Sequence, residues 1–173
     1  MVGAVGRRQH PPRPDWPVAG CAWHRGAMSD LAARNKQLIE RFWATMYARD
    51  FDGVGRFFTD DGEYTDVFTP GGDDDVARGP AQVAARLRLG LEPLAAIYHH
   101  PKHMVAEGDL VMTEHAEEWH WPTGEQVTIK FVSVHHIVDG KIVRWHDYPD
   151  LQKLLGAAPQ WWMEHIMEGY ARD

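Results

Sequence analysis

The stretch "GDLVMTEHAEEWHW", Gly108 to Trp121, sets histidines, carboxylates and tryptophans in close succession. Read with a period of two, it separates into two rows. Val111, Thr113, His115, Glu117, Trp119 and Trp121 fall on one face of a strand, and Leu110, Met112, Glu114, Ala116, Glu118 and His120 on the other. The second row is an ordinary mixed face. The first places one imidazole and one carboxylate among apolar groups, where a carboxylate is costly unless it is paired or solvated.

Further along, "KIVRWHDY", Lys141 to Tyr148, splits the same way, with Val143, Trp145 and Asp147 in one set and Ile142, Arg144, His146 and Tyr148 in the other. Alternation predicts strands at 97–106, 110–121, 126–138 and 141–148. The turns between them are "EGD" (Glu107–Asp109), "PTGE" (Pro122–Glu125) and "DG" (Asp139–Gly140). Before about Ala95 the period is near 3.6. Leu31, Leu38, Ile39, Phe42, Trp43 and Met46 mark a helix that starts at the cap candidates Ser29 and Asp30 and runs to about Arg49. A short helix is expected from Asp50 to Phe57 or Phe58, a turn at Asp60–Gly62 and a strand from Glu63 to Phe68. A loop follows at Thr69–Asp75, then a helix from Pro80 through Val83, Leu87 and Leu91. A last helix includes Trp161, Trp162, His165 and Ile166. Helices followed by an antiparallel meander predict an α+β domain, with helices packed on one face of a curved sheet.

His115, Glu117 and Asp147 can thereby line one cavity, with Tyr64 and Asp66 of the first strand sharing its wall. The same pattern also fits a satisfied buried polar cluster, or strands whose charged face meets water.

The 173 residues suit one domain, expected to span 28–173. Residues 1–27 differ: four prolines, no apolar periodicity, and Arg7, Arg8, Arg13 and Arg25 against Asp15. They lack the apolar core of a signal peptide and are expected to be a disordered extension or a start-site artefact. That segment is +3 while the whole chain is −7, so the body is acidic, which argues against nucleic acid as a partner. The one cysteine, Cys21, excludes an intramolecular disulfide and fits a cytoplasmic protein. No apolar run approaches the ~18 residues of a membrane span.

Histidines cluster in "HHPKH" (His99, His100, His103) and at His135-His136, but adjacent strand residues point to opposite faces and make poor chelates, so no metal is expected. "GGDDD" (Gly71–Asp75) lacks the ligand spacing of a calcium loop. Trp161 and Trp162 lie about 100° apart around a helix, and at least one should cover the core.

From "GDLVMTEHAEEWHW" through "FVSVHHIVDGKIVRWHDYPDL" the chain resembles the limonene-1,2-epoxide hydrolase family, within the SnoaL-like, nuclear transport factor two-like fold. The similarity spans roughly residues 30–155. It implies a cone of curved sheet with helices over the concave face, a homodimer, and no cofactor. In that family a "T-E-R-x-D" strand and a "W-x-D-Y" strand supply an Asp–Arg–Asp triad, while a tyrosine and an asparagine on the first strand hold the nucleophilic water. The resemblance maps the base aspartate to Asp147 and the tyrosine to Tyr64. It puts His115 at the arginine position, Glu117 at the acid aspartate and Asp66 at the asparagine.

Two enzymatic readings follow. Asp147 as base and a protonated Glu117 as acid would open an epoxide with water to give a vicinal diol. Alternatively, a His115–Asp147 base pair would serve proton abstraction in a dehydratase, isomerase or polyketide cyclase. A non-catalytic ligand-binding or association domain is the third possibility. In each case the expected ligand is a small hydrophobic molecule bearing oxygen, lined by Trp119, Trp121, Trp145, Phe131 and Val143. A chain begun at Met28 is expected to melt at the temperature of the full chain, as a thermal unfolding scan of the two will check.

Overall fold

A computed structural model describes residues 30–65 and 76–170. The expected N-terminal extension, Cys21, Asp66 and the loop 69–75 lie outside the described residues. The elements run α1 (Asp30–Tyr47), α2 (Phe51–Gly55), β1 (Phe58–Thr65), β2 (Ala77–Arg78), α3 (Gly79–Leu91), β3 (Ala96–Glu107), β4 (Leu110–His120), β5 (Gln126–Val138), β6 (Lys141–Pro149), α4 (Leu151–Ala157) and α5 (Gln160–Tyr170). The long helix, the four-strand meander and the final helix stand where periodicity placed them. Two short elements escaped it. Strand β2 is two residues long, and α4 is a seven-residue helix capped by Asp150, whose carboxylate accepts from Lys153 N. Both are too short to establish a period.

The strands form one curved, open six-stranded sheet in the order β2-β1-β6-β5-β4-β3. The meander is antiparallel as expected, but β1 pairs with β6 in parallel, so the sheet is mixed rather than wholly antiparallel. That pairing follows from α3 and the meander intervening between the two strands, which lets β6 return beside β1 in the same direction. The expected turn at Asp60–Gly62 is an irregularity inside β1, where the register to β6 shifts between Phe58 and Glu63. Gly62 is needed there, since a Cβ would stand 2.8 Å from the carbonyl oxygen of Ile142.

One apolar core lies between α1, α2, α3 and the inner face of the sheet. Phe42 of α1 is its centre, meeting Trp43, Phe57, Phe58, His135 and Trp145 edge-on at 5.0–6.3 Å between centroids. At the other end Trp119, Trp121 and Trp162 form a triangle of edge contacts that seats α5 on β4. Trp162 is the buried member of the Trp161-Trp162 pair; Trp161 instead donates to Thr123 at the surface. No helix among the described residues is long and apolar enough to cross a membrane.

Strand β4 keeps the expected alternation, with Val111, Thr113, His115, Glu117 and Trp119 all inward and buried. Strand β6 does not keep it throughout. Ile137 pairs with Ile142 while His136 pairs with Arg144, so Val143 is an extra, bulged residue. Ile142 takes the inward position and is fully buried, and Val143 drops out of the row that Trp145 and Asp147 occupy. Strict alternation across a bulge names the wrong neighbour. Ile142→Ala should therefore cost about 2–5 kcal/mol and Val143→Ala less than about 1 kcal/mol in denaturant unfolding.

The core also holds imidazole. His135 is fully buried against Phe42 and Trp145, and burial, aided by His115, pushes its pKa down to about 3. The unfolded chain, with an ordinary His pKa near 6.5, takes up a proton that the folded chain refuses. The contribution of His135 is thus full above about pH 6.5 and is lost as pH falls toward 3. His135→Phe should flatten the acid limb of stability by about 1.4 kcal/mol per pH unit in that window, read from urea melts at stepped pH.

Candidate active site

Register across three strands assembles the polar groups. Thr113 on β4 stands opposite Ser133 on β5, and Ser133 opposite Asp147 on β6. Tyr64 on β1 stands beside Trp145 in the parallel pair and stacks on its ring at 4.0 Å. Inward-facing side chains two residues apart on β4 and β6 then project into one cavity at the edge of the core. Its volume is about 60 Å³. Tyr64, Glu117, Trp119, Phe131, Trp145 and Asp147 from the sheet line it, with Arg86, Leu87 and Leu91 from α3 and Trp162, Ile166 and Tyr170 from α5.

Asp147 is buried and surrounded by donors. Its Oδ1 accepts from Trp145 Nε1 at 2.7 Å and from Ser133 Oγ at 2.5 Å, and its Oδ2 faces the Tyr64 hydroxyl at 3.4 Å. This arrangement suits a carboxylate, which only accepts.

Glu117 is also buried. Its Oε2 accepts from Trp119 Nε1 at 2.7 Å, and its Oε1 receives the hydroxyl of Tyr47, on the last turn of α1. Burial pushes its carboxyl above the ordinary range, against the downward pull of the Tyr47 and Trp119 hydrogen bonds. The phenol of Tyr47 is raised well above its own ordinary value, by burial first and then by Glu117.

His115 lies behind these groups rather than on the cavity wall. It is 1% exposed, stacks on Phe131 at 5.2 Å and meets Trp43 at 4.7 Å. Its Nε2 is 2.9 Å from Ser133 Oγ. Because Ser133 gives its proton to Asp147, its oxygen accepts from His115, which puts the imidazole proton on Nε2. Nδ1 is 4.0 Å from Glu117 Oε1, beyond hydrogen-bond reach. Burial, with His99 nearby, drives the His115 pKa down to about 3, so the ring is neutral at physiological pH.

Of the residues singled out from sequence, Asp147, Glu117, Tyr64, Trp119, Trp145 and Phe131 meet on the cavity. His115 supports it from behind. Trp121 packs on Trp119 and Trp162 without reaching the cavity, and Val143 is displaced by the bulge. Three participants were missed. Ser133 follows Val127, Ile129 and Phe131 in the inward row of β5, and a lone hydroxyl in that row was its signal. Arg86 is three residues after Val83 on the apolar stripe of α3; it is buried, and its guanidinium lies 4.4 Å over the Tyr170 ring. Tyr47 ends α1, with nothing in the local pattern to mark it.

The histidine clusters divide as adjacent strand residues should. His99 faces inward against Tyr47, whereas His100 and His136 face outward to Glu118 and Asp109. Among the described residues no three His, Cys, Asp or Glu side chains are grouped to hold a metal.

Comparison with known proteins bears on the same region. The family model for the SnoaL-like domain matches residues 39–145. No curated protein sequence matches significantly. Among solved structures, an LEH-like epoxide hydrolase from M. tuberculosis is 21% identical with a TM-score of 0.59, the alignment covering 81% of this chain and 94% of that one. A protein from Jannaschia sp. CCS1, assigned as a SnoaL-like polyketide cyclase, is 17% identical with a TM-score of 0.67, covering 78% and 99%. A protein with a ketosteroid isomerase-like fold from Catenulispora acidiphila DSM 44928, solved with trimethylamine, is 17% identical with a TM-score of 0.61, covering 69% and 90%. At these identities the likeness to the solved structures speaks for the fold, and the matched domain model, which covers more than half of the sequence, shows that the chain belongs to the SnoaL-like domain family.

Proposed function

We propose that this chain hydrolyses an epoxide on a small hydrophobic substrate, without a cofactor, to a vicinal diol. The observation that carries this reading is the pairing in one cavity of two buried carboxyl groups, each with its own set of donors. Asp147 is ringed by donors, and Glu117 is buried where its neutral form is favoured. Such a pair divides acid from base.

Asp147 takes a proton from a water molecule, whose oxygen attacks one epoxide carbon. The C–O bond at that carbon breaks, and Glu117 delivers its proton to the departing oxygen, giving the diol. The Tyr64 hydroxyl, beside Asp147 Oδ2, is placed to orient the water. Arg86 brings a permanent positive charge to the same cavity and favours negative charge developing on the epoxide oxygen. Trp119, Trp145 and Phe131 provide the apolar wall. A homodimer belongs to the same proposal, with Leu110, Met112 and Tyr148 exposed on the outer face of the sheet to receive a second copy.

One observation favours a second reading. A neutral carboxyl flanked by a tyrosine can also hydrogen-bond a carbonyl oxygen while Asp147 removes a proton beside it, which is isomerase or cyclase chemistry. In this version Asp147 is the base. Ser133 stands between His115 and Asp147, so the direct His–carboxylate pair expected from sequence is replaced by a bridged one.

Limonene oxide and styrene oxide are the test substrates. Diol formation should fall at least about a hundredfold in Asp147→Asn and in Glu117→Gln, with KM little changed. Absence of diol from both epoxides, with deuterium exchange at the acidic carbon of a bound ketone, would transfer the assignment to the proton-abstraction reading.

A further inference from the structure

We propose that Tyr47 is the proton inlet of this site, recharging Glu117 from a second, solvent-facing groove. The inference rests on the reading of Glu117 as the neutral acid.

The groove runs between α1 and β3, and Tyr47 lines it together with Glu40, His99, Lys102, His103 and Thr113. No described residue lines both this groove and the catalytic cavity. Trp43 of the groove meets Trp145 of the cavity edge-on at 5.8 Å, and the hydroxyl of Tyr47 on Glu117 Oε1 is the polar link between the two. The phenol ring is held in place by stacking, on His99 at 4.2 Å and on Trp43 at 5.9 Å. On the groove side three buried polar atoms, Trp43 Nε1, His99 Nε2 and Thr113 Oγ1, have no hydrogen-bond partner among the described residues. Buried polar atoms clustered at a solvent-facing groove are docking points for ordered water. The phenol that touches the acid lines the same groove as these atoms, so water docked on them would supply its proton.

The chemistry of turnover calls for such a route. Each cycle takes one proton from Glu117 and adds one to Asp147. While product fills the cavity, Glu117 faces product on that side. Through Tyr47 the phenol O–H passes its proton to Glu117 Oε1 as the phenol oxygen takes one from a groove water, which regains its own from bulk. The hydroxyl then turns about its C–O bond and is ready again. Asp147 gives its proton to the water that replaces product, so the cycle closes with no net change. A phenol held neutral is suited to this work, because it always has a proton to pass.

The first test uses the full chain saturated with the diol of styrene oxide, so that product fills the cavity. Infrared spectroscopy follows the carbonyl band of the buried protonated carboxyl, assigned by its loss in Glu117→Gln, after rapid dilution into D2O holding the same diol. Exchange should be about a hundredfold slower in Tyr47→Phe than in the parent protein. Equal exchange rates overturn the inlet and leave the acid in place. A parent protein without the band overturns the acid reading itself, and the inlet with it.

The second test uses styrene oxide in rapid-quench kinetics. Tyr47→Phe should complete its first turnover at the parent rate and slow about a hundredfold afterwards, giving a burst of about one product per site. First and later turnovers slowed alike would instead make Tyr47 a positioning residue for Glu117.

Discussion

A carboxyl group buried in an apolar cavity is costly to ionise unless donors meet it, and the arrangement of this site follows from that constraint. Asp147 and Glu117 are both buried on one cavity, each among its own donors. Around Asp147 stand the indole of Trp145, the hydroxyl of Ser133 and, at longer range, that of Tyr64. Glu117 has Trp119 and Tyr47, but burial outweighs them and holds its carboxyl above the ordinary range. The difference comes from neighbours rather than from the chemistry of aspartate and glutamate, whose ordinary pKa values are close.

The scaffold imposes those neighbours through strand geometry. On β4 and β6 each carboxyl sits two residues from a tryptophan on the same face: Glu117 before Trp119, and Asp147 after Trp145. In both cases the indole N–H turns onto the carboxyl at 2.7 Å. The two strands meet through β5, whose Ser133 links Asp147 to His115. The helix α1 closes the cluster from above, with Phe42 and Trp43 filling the core and Tyr47 reaching Glu117. A sheet that is curved and open leaves one side of this row uncovered, and α3 and α5 supply the missing wall through Arg86, Trp162 and Tyr170.

Most of this was legible in the sequence wherever a period governed it. The meander, the long helix and the inward row of β4 follow from alternation, and that row alone brought His115 and Glu117 together with Trp119. Legibility failed where local geometry broke the period. The bulge at Val143 exchanged it for Ile142, and the irregularity near Gly62 made a strand of an expected turn. It failed again where partners come from distant elements. Tyr47 lies 70 residues from Glu117 in the chain, and only packing of α1 on β4 brings them together. The tryptophan rows show a further limit. Trp119 and Trp121 read alike from the pattern, yet the cavity stops between them because Trp162 packs on both.

The neutrality of His115 can be understood in the same terms. A guanidinium near 4 Å from Glu117, where His115 Nδ1 lies, would favour the ionised carboxylate by about 4 kcal/mol at an effective dielectric of 20. That would remove the proton an acid must hold. A histidine kept neutral by burial exerts no such pull, and through Ser133 it still fixes the orientation of Asp147. The cavity keeps a permanent cation in Arg86, carried by α3 instead of β4. A positive charge thus stands in the cavity on α3, apart from the strand that carries Glu117.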